Sequence, residues 1–142
     1  MTSPELIAKK IALLLEFVAR ARRRRPAEVS QLDDDDDLQD ALGMAVLVAI
    51  QEAIDLAFHV ATTEHWGVPS SYAESFELLA KHEVIEKSEA QTLVLAVGLR
   101  NRLAHGYAAV EPARLWAELP AGLDALESFA RALARFAADA AD

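Results

Sequence analysis

The amino-acid sequence predicts an all-α protein, an up-and-down bundle of four long helices with one or two short ones. Two observations carry that prediction. Apolar residues recur at steps of 3 and 4 over long stretches, the spacing of one helical face, and no segment makes a convincing strand. At 142 residues with 53% hydrophobic side chains, the chain is also long enough to bury one core, as a single domain over residues 1–142.

Each helix has its own pattern. Ile7, Ile11, Leu14 and Val18, with Leu6, Leu13 and Phe17 beside them, form an apolar stripe over residues 3–24, and Pro26 ends it. Residues 27–37 have neither period nor bulk and read as a solvated loop. From Leu38, the residues Leu42, Val46, Ala49, Ala53, Leu56 and Val60 make one face, and Leu47, Ile50, Ile54 and Phe58 make a second, as a central helix requires. His65, Trp66, Gly67, Val68 and Pro69 break it. Ser71 and Glu74 then make a capping box for a helix of about three turns through Phe76, Leu78 and Leu79. Ser88 and Gln91 repeat that signal before an apolar run that continues to His105, where Gly106 permits a break. Pro112 suits the start of a last helix, which Pro120 should kink or restart, and Leu119, Leu123, Leu126, Ala130, Leu133 and Ala137 supply its stripe.

Composition excludes several classes of function. With no cysteine there is no disulfide framework, thiolate metal site or cysteine nucleophile. The longest stretch free of Asp, Glu, Lys and Arg, residues 41–51, is too short for a bilayer span of roughly 20 residues, and charges interrupt the first helix, so a cytoplasmic protein without a membrane partner is expected. Net charge is −9, unevenly spread: residues 1–25 hold seven Lys and Arg against two Glu, and the remainder hold seven against twenty-one Asp and Glu. Such a surface excludes an indiscriminate nucleic-acid coat but leaves room for a local basic patch.

Chemistry concentrates in Arg100-Asn101-Arg102-Leu103-Ala104-His105-Gly106-Tyr107. On a regular helix Asn101 and His105 lie about 40° apart, Arg102 lies about 60° from His105, and Arg100 lies about 140° away. Arg100 must therefore wrap around the helix, or the helix must loosen. An imidazole exchanges protons near neutral pH, and a guanidinium holds a phosphate while charge builds on it. Together they suit cleavage of RNA, which brings its own 2′-hydroxyl nucleophile and so calls for neither metal nor cofactor. The same residues at a helix C-terminus also satisfy orphan carbonyls and the dipole, with Tyr107 covering the bundle end.

Other charged groups read more plainly. Arg22, Arg23, Arg24 and Arg25, with Arg102, are candidates for guiding RNA, although the first four also suit a solvated helix end. Asp33, Asp34, Asp35, Asp36 and Asp37 lack the alternation, turn glycine and closing glutamate of a calcium loop. Asp55 and His59, at i and i+4, read as a helix-surface pair or a partly buried hydrogen bond rather than a metal site, since two ligands make no site by themselves, and His65 and Trp66 close their helix. His82 has no chemical partner nearby in sequence.

The spacing Arg100-x4-His105-x-Tyr107 resembles the Arg-x4-His-x-Tyr signature of HepT-like toxins, small helical ribonucleases of the HEPN superfamily. Gln51 to His59 (QEAIDLAFH) resembles that family's second conserved helix, and Gly67 to Phe76 (GVPSSYAESF) its turn and third helix, so the likeness runs from about residue 5 to 136. The resemblance implies a metal-independent endoribonuclease toxin of a type II/VII-like toxin–antitoxin pair, with Arg100 and His105 as the catalytic pair and Asn101 in support. It further implies a homodimer whose two sites meet in one cleft, and an MNT-type nucleotidyltransferase antitoxin that AMPylates Tyr107. The alternative reading is a non-catalytic HEPN bundle that binds a nucleotide or tethers such a nucleotidyltransferase. The Asp33–Asp37 and Arg22–Arg25 runs lie outside the family pattern.

Overall fold

The structure is a computed structural model that describes residues 3–106 and 110–141. Six helices follow in order: α1 (Pro4–Arg24), α2 (Val29–Asp33), α3 (Asp36–Thr63), α4 (Tyr72–Lys81), α5 (Lys87–Ala104) and α6 (Pro112–Ala141). Four are long and two short, as the apolar periods predict, and no strand occurs among the described residues.

The central helix is α3, packed against α1, α4, α5 and α6. Ala45, Ala49, Ala53, Ala57 and Ala61 recur every fourth residue and are buried, so neighbouring backbones approach closely along that row. Leu42, Val46, Ile50, Ile54, Leu56 and Val60 fill the space to either side. By length and composition alone α3 is apolar enough to cross a bilayer, but 56% of its most apolar stretch is buried against the rest of the bundle, as befits a core helix. Phe76 of α4 meets Phe129 of α6 edge to face at 5.5 Å, closing the core on the far side.

Several boundaries depart from the sequence expectation. Residues 27–37 are not one loop: α2 forms where Glu28 and Gln31 cap each other reciprocally, and the fully buried Leu32 anchors it. Asp35 then caps α3 by accepting from the Leu38 N–H at 2.9 Å, while Asp36 and Asp37 complement the helix dipole in its first turn. The aspartate run thus ends α2 at Asp33 and starts α3 from Asp35. At α5 the reciprocal cap is Glu86 with Glu89, two residues before the expected Ser88. Pro120 does not restart its segment: α6 runs unbroken from Pro112 to Ala141, with Leu119 and Leu123 buried on either side of the proline.

Two turns shape the region beside the site. His65 (φ 60°) and Glu83 (φ 62°) take the left-handed conformation, and the next N–H groups reach back to Ala61 and Leu79 at 2.9 Å each. These turns bring Trp66 against His82, with the two rings parallel and 4.1 Å apart, so His82 has an aromatic partner that the sequence does not reveal.

Candidate active site

Arg100 stands on the inner face of α5, in helical register with the buried Leu93 and Val97. It faces α3 and α4. Nε donates to Gln51 Oε1 at 3.0 Å, a terminal nitrogen donates to Asn101 Oδ1 at 3.3 Å, and the guanidinium carbon lies 5.2 Å from the centre of the Tyr72 ring. Three elements therefore hold one cation.

Gln51 is held in turn. Its amide donates to Asp55 Oδ1 at 3.0 Å, and Asp55 Oδ2 accepts from Lys10 Nζ at 3.4 Å. Lys10 also lies 3.1 Å from Glu52 Oε2. Burial works against the Lys10 charge, but its bonds to Glu52 and Asp55 outweigh that effect and raise its pKa above the ordinary lysine value. A chain of polar contacts thus runs from α1 through α3 to the guanidinium on α5. The sequence reading did not place Gln51 or Lys10 in this site. The expected pairing of Asp55 with His59 is replaced by these bonds, and His59 Nε2 is enclosed without a hydrogen-bond partner. Burial lowers the His59 pKa below the ordinary histidine value.

His105 is the C-cap of α5 and is exposed, its N–H directed at the Asn101 carbonyl at 3.2 Å. Gly106 follows with φ 115°, a conformation that a side chain would strain, and it turns the chain away immediately after the imidazole. Arg102 points elsewhere. It lines a small recess with Glu111 and with Arg114 and Glu118 of α6, so it does not join Arg100 and Tyr72. Tyr107 lies outside the described residues.

The basic end of α1 is spoken for by α6. Arg22 bonds Asp124 and Glu127 at 2.8 Å each, and Arg25 donates to the Trp116 carbonyl at 2.9 Å with its guanidinium 4.0 Å from that indole's centre. Trp116 closes the clamp by donating to the Pro26 carbonyl at 2.8 Å. Arg23 is exposed and Arg24 half-buried. Arg22 follows Lys10 by twelve residues on α1, about 18 Å along the helix, so this cluster is not gathered around Arg100. Among the described residues no group of three or more His, Asp or Glu side chains is arranged to hold a metal.

The six-helix bundle thus offers a braced arginine and, five residues on, an exposed histidine at the end of the same helix. Residues 8–133 match the model of the family described as Ribonuclease HepT-like, and the chain belongs to that family. It is 31% identical over 103 residues to an mRNA nuclease HepT from Shewanella oneidensis, a match that covers 72% of this chain and 77% of that one. Among solved structures, it superposes on a toxin–antitoxin complex with AMP-PNP at a TM-score of 0.84 and 26% identity, covering 91% of this chain and 97% of the other. A tri-AMPylated Shewanella oneidensis HEPN toxin in complex with MNT antitoxin gives 0.82 and 28%, covering 89% and 95%.

Proposed function

We propose that this protein is a metal-independent endoribonuclease toxin, in which Arg100 holds the scissile phosphate and His105 moves protons. The observation that carries this reading is the bracing of Arg100: with Nε tied to Gln51, a terminal nitrogen tied to Asn101 and the Tyr72 ring beside it, the guanidinium is oriented before any ligand arrives, and its bonded partners are neutral. His105 removes the 2′-hydroxyl proton, and the 2′-oxygen attacks phosphorus. The bond to the 5′-oxygen breaks, that oxygen takes a proton, and the products are a 2′,3′-cyclic phosphate and a 5′-hydroxyl. Asn101, already bonded to Arg100, supports the cation.

In-line displacement puts nucleophile and leaving group on opposite sides of phosphorus, so a second imidazole from a homodimer serves the second proton transfer. Leu95, a large apolar side chain 76% exposed on α5, is the residue we assign to that seam. Leu95→Glu is expected to yield monomers by light scattering and to lose cleavage with them; an active monomer would remove the dimer from the mechanism.

Tyr107, two residues past His105, is the proposed AMP acceptor for an MNT-type nucleotidyltransferase antitoxin. The AMP would add bulk and negative charge where RNA phosphate must bind. The related HEPN toxin that is tri-AMPylated and bound to MNT antitoxin supports this reading. Exposed Arg23 and half-buried Arg24, with Arg102, would draw RNA in at long range, whereas Arg22 and Arg25 have a structural task.

The deciding experiment compares the parent with His105→Ala on cellular RNA in EDTA. Parent-only cleavage that leaves 2′,3′-cyclic phosphate ends is expected, with the variant slower by about a hundred- to ten-thousand-fold. Equal rates would overturn the assignment.

A further inference from the structure

Beside Arg100 lies a groove of about 530 Å³ between α3 and the start of α4, and the mechanism above makes no use of it. Its floor and rim are built from Gln51, Asp55, Phe58, His59, Thr62 and Tyr72. We propose that this groove is a nucleobase subsite, which seats the base next to the scissile phosphate with Tyr72 as its stacking platform. The inference rests on the ribonuclease reading for the nature of the ligand.

Three observations converge on a flat, polar-edged ring as the occupant. First, Tyr72 is 36% exposed although it is large and aromatic, and Phe58 braces it edge to face at 6.1 Å, so the ring is held while part of its surface stays open. Aromatic rings held at a surface are the usual partners of unstacked bases in single-stranded RNA. Second, the guanidinium proposed to hold the phosphate lies 5.2 Å from the centre of that same ring, so phosphate and base positions fall within one nucleotide of each other. Third, the groove wall offers a base-edge partner in the hydroxyl of the exposed Thr62.

The occupant is specified by charge as well as shape. Lys10 is engaged by Glu52 and Asp55, so the groove interior presents no free ammonium to compete with Arg100 for phosphate. The anionic part of a nucleotide is thereby directed to Arg100 and its apolar ring to Tyr72.

The test uses His105→Ala protein, which does not cleave, and 2′-O-methyl RNA dinucleotides carrying each of the four bases, titrated by NMR. Saturable shifts are expected at Thr62, Tyr72 and the His59 ring. Tyr72→Ala should weaken binding by about tenfold, while Tyr72→Phe, which keeps the ring, binds like the parent. Thr62→Val, nearly the same size, should change the ranking among the four bases. The proposal is overturned if the dinucleotides do not bind, if shifts are confined to the end of α5, or if Tyr72→Ala binds as tightly as the ring-bearing protein. Cleavage by the parent is scored separately. A parent that fails to cut RNA while its groove titrates sinks the nuclease reading alone, and a cutting parent with a silent groove sinks the subsite alone.

Discussion

Two helices of this protein end in a cluster of arginines, and the fold treats them in opposite ways. At the end of α1, Arg22 and Arg25 have their polar atoms matched by Asp124, Glu127 and the Trp116 carbonyl, and the indole of Trp116 covers the Arg25 guanidinium. At the end of α5, Arg100 is held by Gln51, Asn101 and Tyr72, while His105 caps the helix in the open. Equal chemistry in sequence thus serves to fasten one helix and to equip the other. What separates Arg22 from Arg100 is the charge of the bonded partners: two carboxylates meet the first, and two neutral side-chain amides meet the second.

The sharpest way to break the comparison is to remove both cations in turn. Arg100→Ala is expected to slow RNA cleavage by about a hundred- to thousandfold per folded molecule, the scale of losing one preorganised charge from a transition state. Arg25→Ala should act on stability alone. It loses a hydrogen bond to a carbonyl and an aromatic contact, a loss of about 1–2 kcal/mol in stability and a midpoint lower by roughly 3–6 °C, while cleavage per folded molecule is unaltered. If Arg25→Ala were as inactive as Arg100→Ala at full stability, the α1 cluster would belong to the site.

Between these extremes lies Gln51, which touches no phosphate in the proposed reaction and acts through Arg100. Gln51→Leu removes the acceptor for Arg100 Nε and the donor to Asp55 together. Cleavage is expected to fall roughly tenfold, in kcat more than in KM, because a loosened guanidinium binds phosphate but no longer meets the transition state in place. Gln51→Glu keeps an acceptor toward Arg100 and should recover part of the loss. An unchanged kcat in the leucine variant would show that Arg100 orients itself.

The difference between the two clusters is only half legible in the sequence. Arg100, His105 and Gly106 are close neighbours whose types and spacing already announce chemistry, and the apolar periods around them announce helices. Gln51 looks like one more polar residue on a helix surface, because its partner is 49 positions away and only packing of α3 against α5 unites them. Tyr72 is hidden for the same reason. Arg22 and Arg25 are ambiguous until α6, about a hundred residues later, supplies their partners. Local caps are misread where the capping residue is glutamate rather than serine, as at Glu28 and Glu86. The turns at His65 and Glu83 carry no glycine to signal their left-handed backbone. Sequence patterns report periods and near neighbours well, and pairings between distant elements hardly at all.

The smallest expected effect contrasts two imidazoles. His105 is exposed at the end of α5, whereas His59 lines the groove with Nε2 enclosed and unpartnered. Burial depresses the His59 pKa below its ordinary value of 6.5, so the unfolded chain binds that proton more readily than the folded one. Stability from this group is therefore complete above about pH 6.5 and is lost as pH falls from there through the folded-state pKa. His59→Gln carries no titrating ring in either state. Its thermal midpoint should fall less steeply than the parent's between about pH 7 and pH 5. Curves for His59→Gln and parent that run parallel through this range would mean that the folded protein protonates His59 as easily as water does, and that the ring is not enclosed at the groove wall.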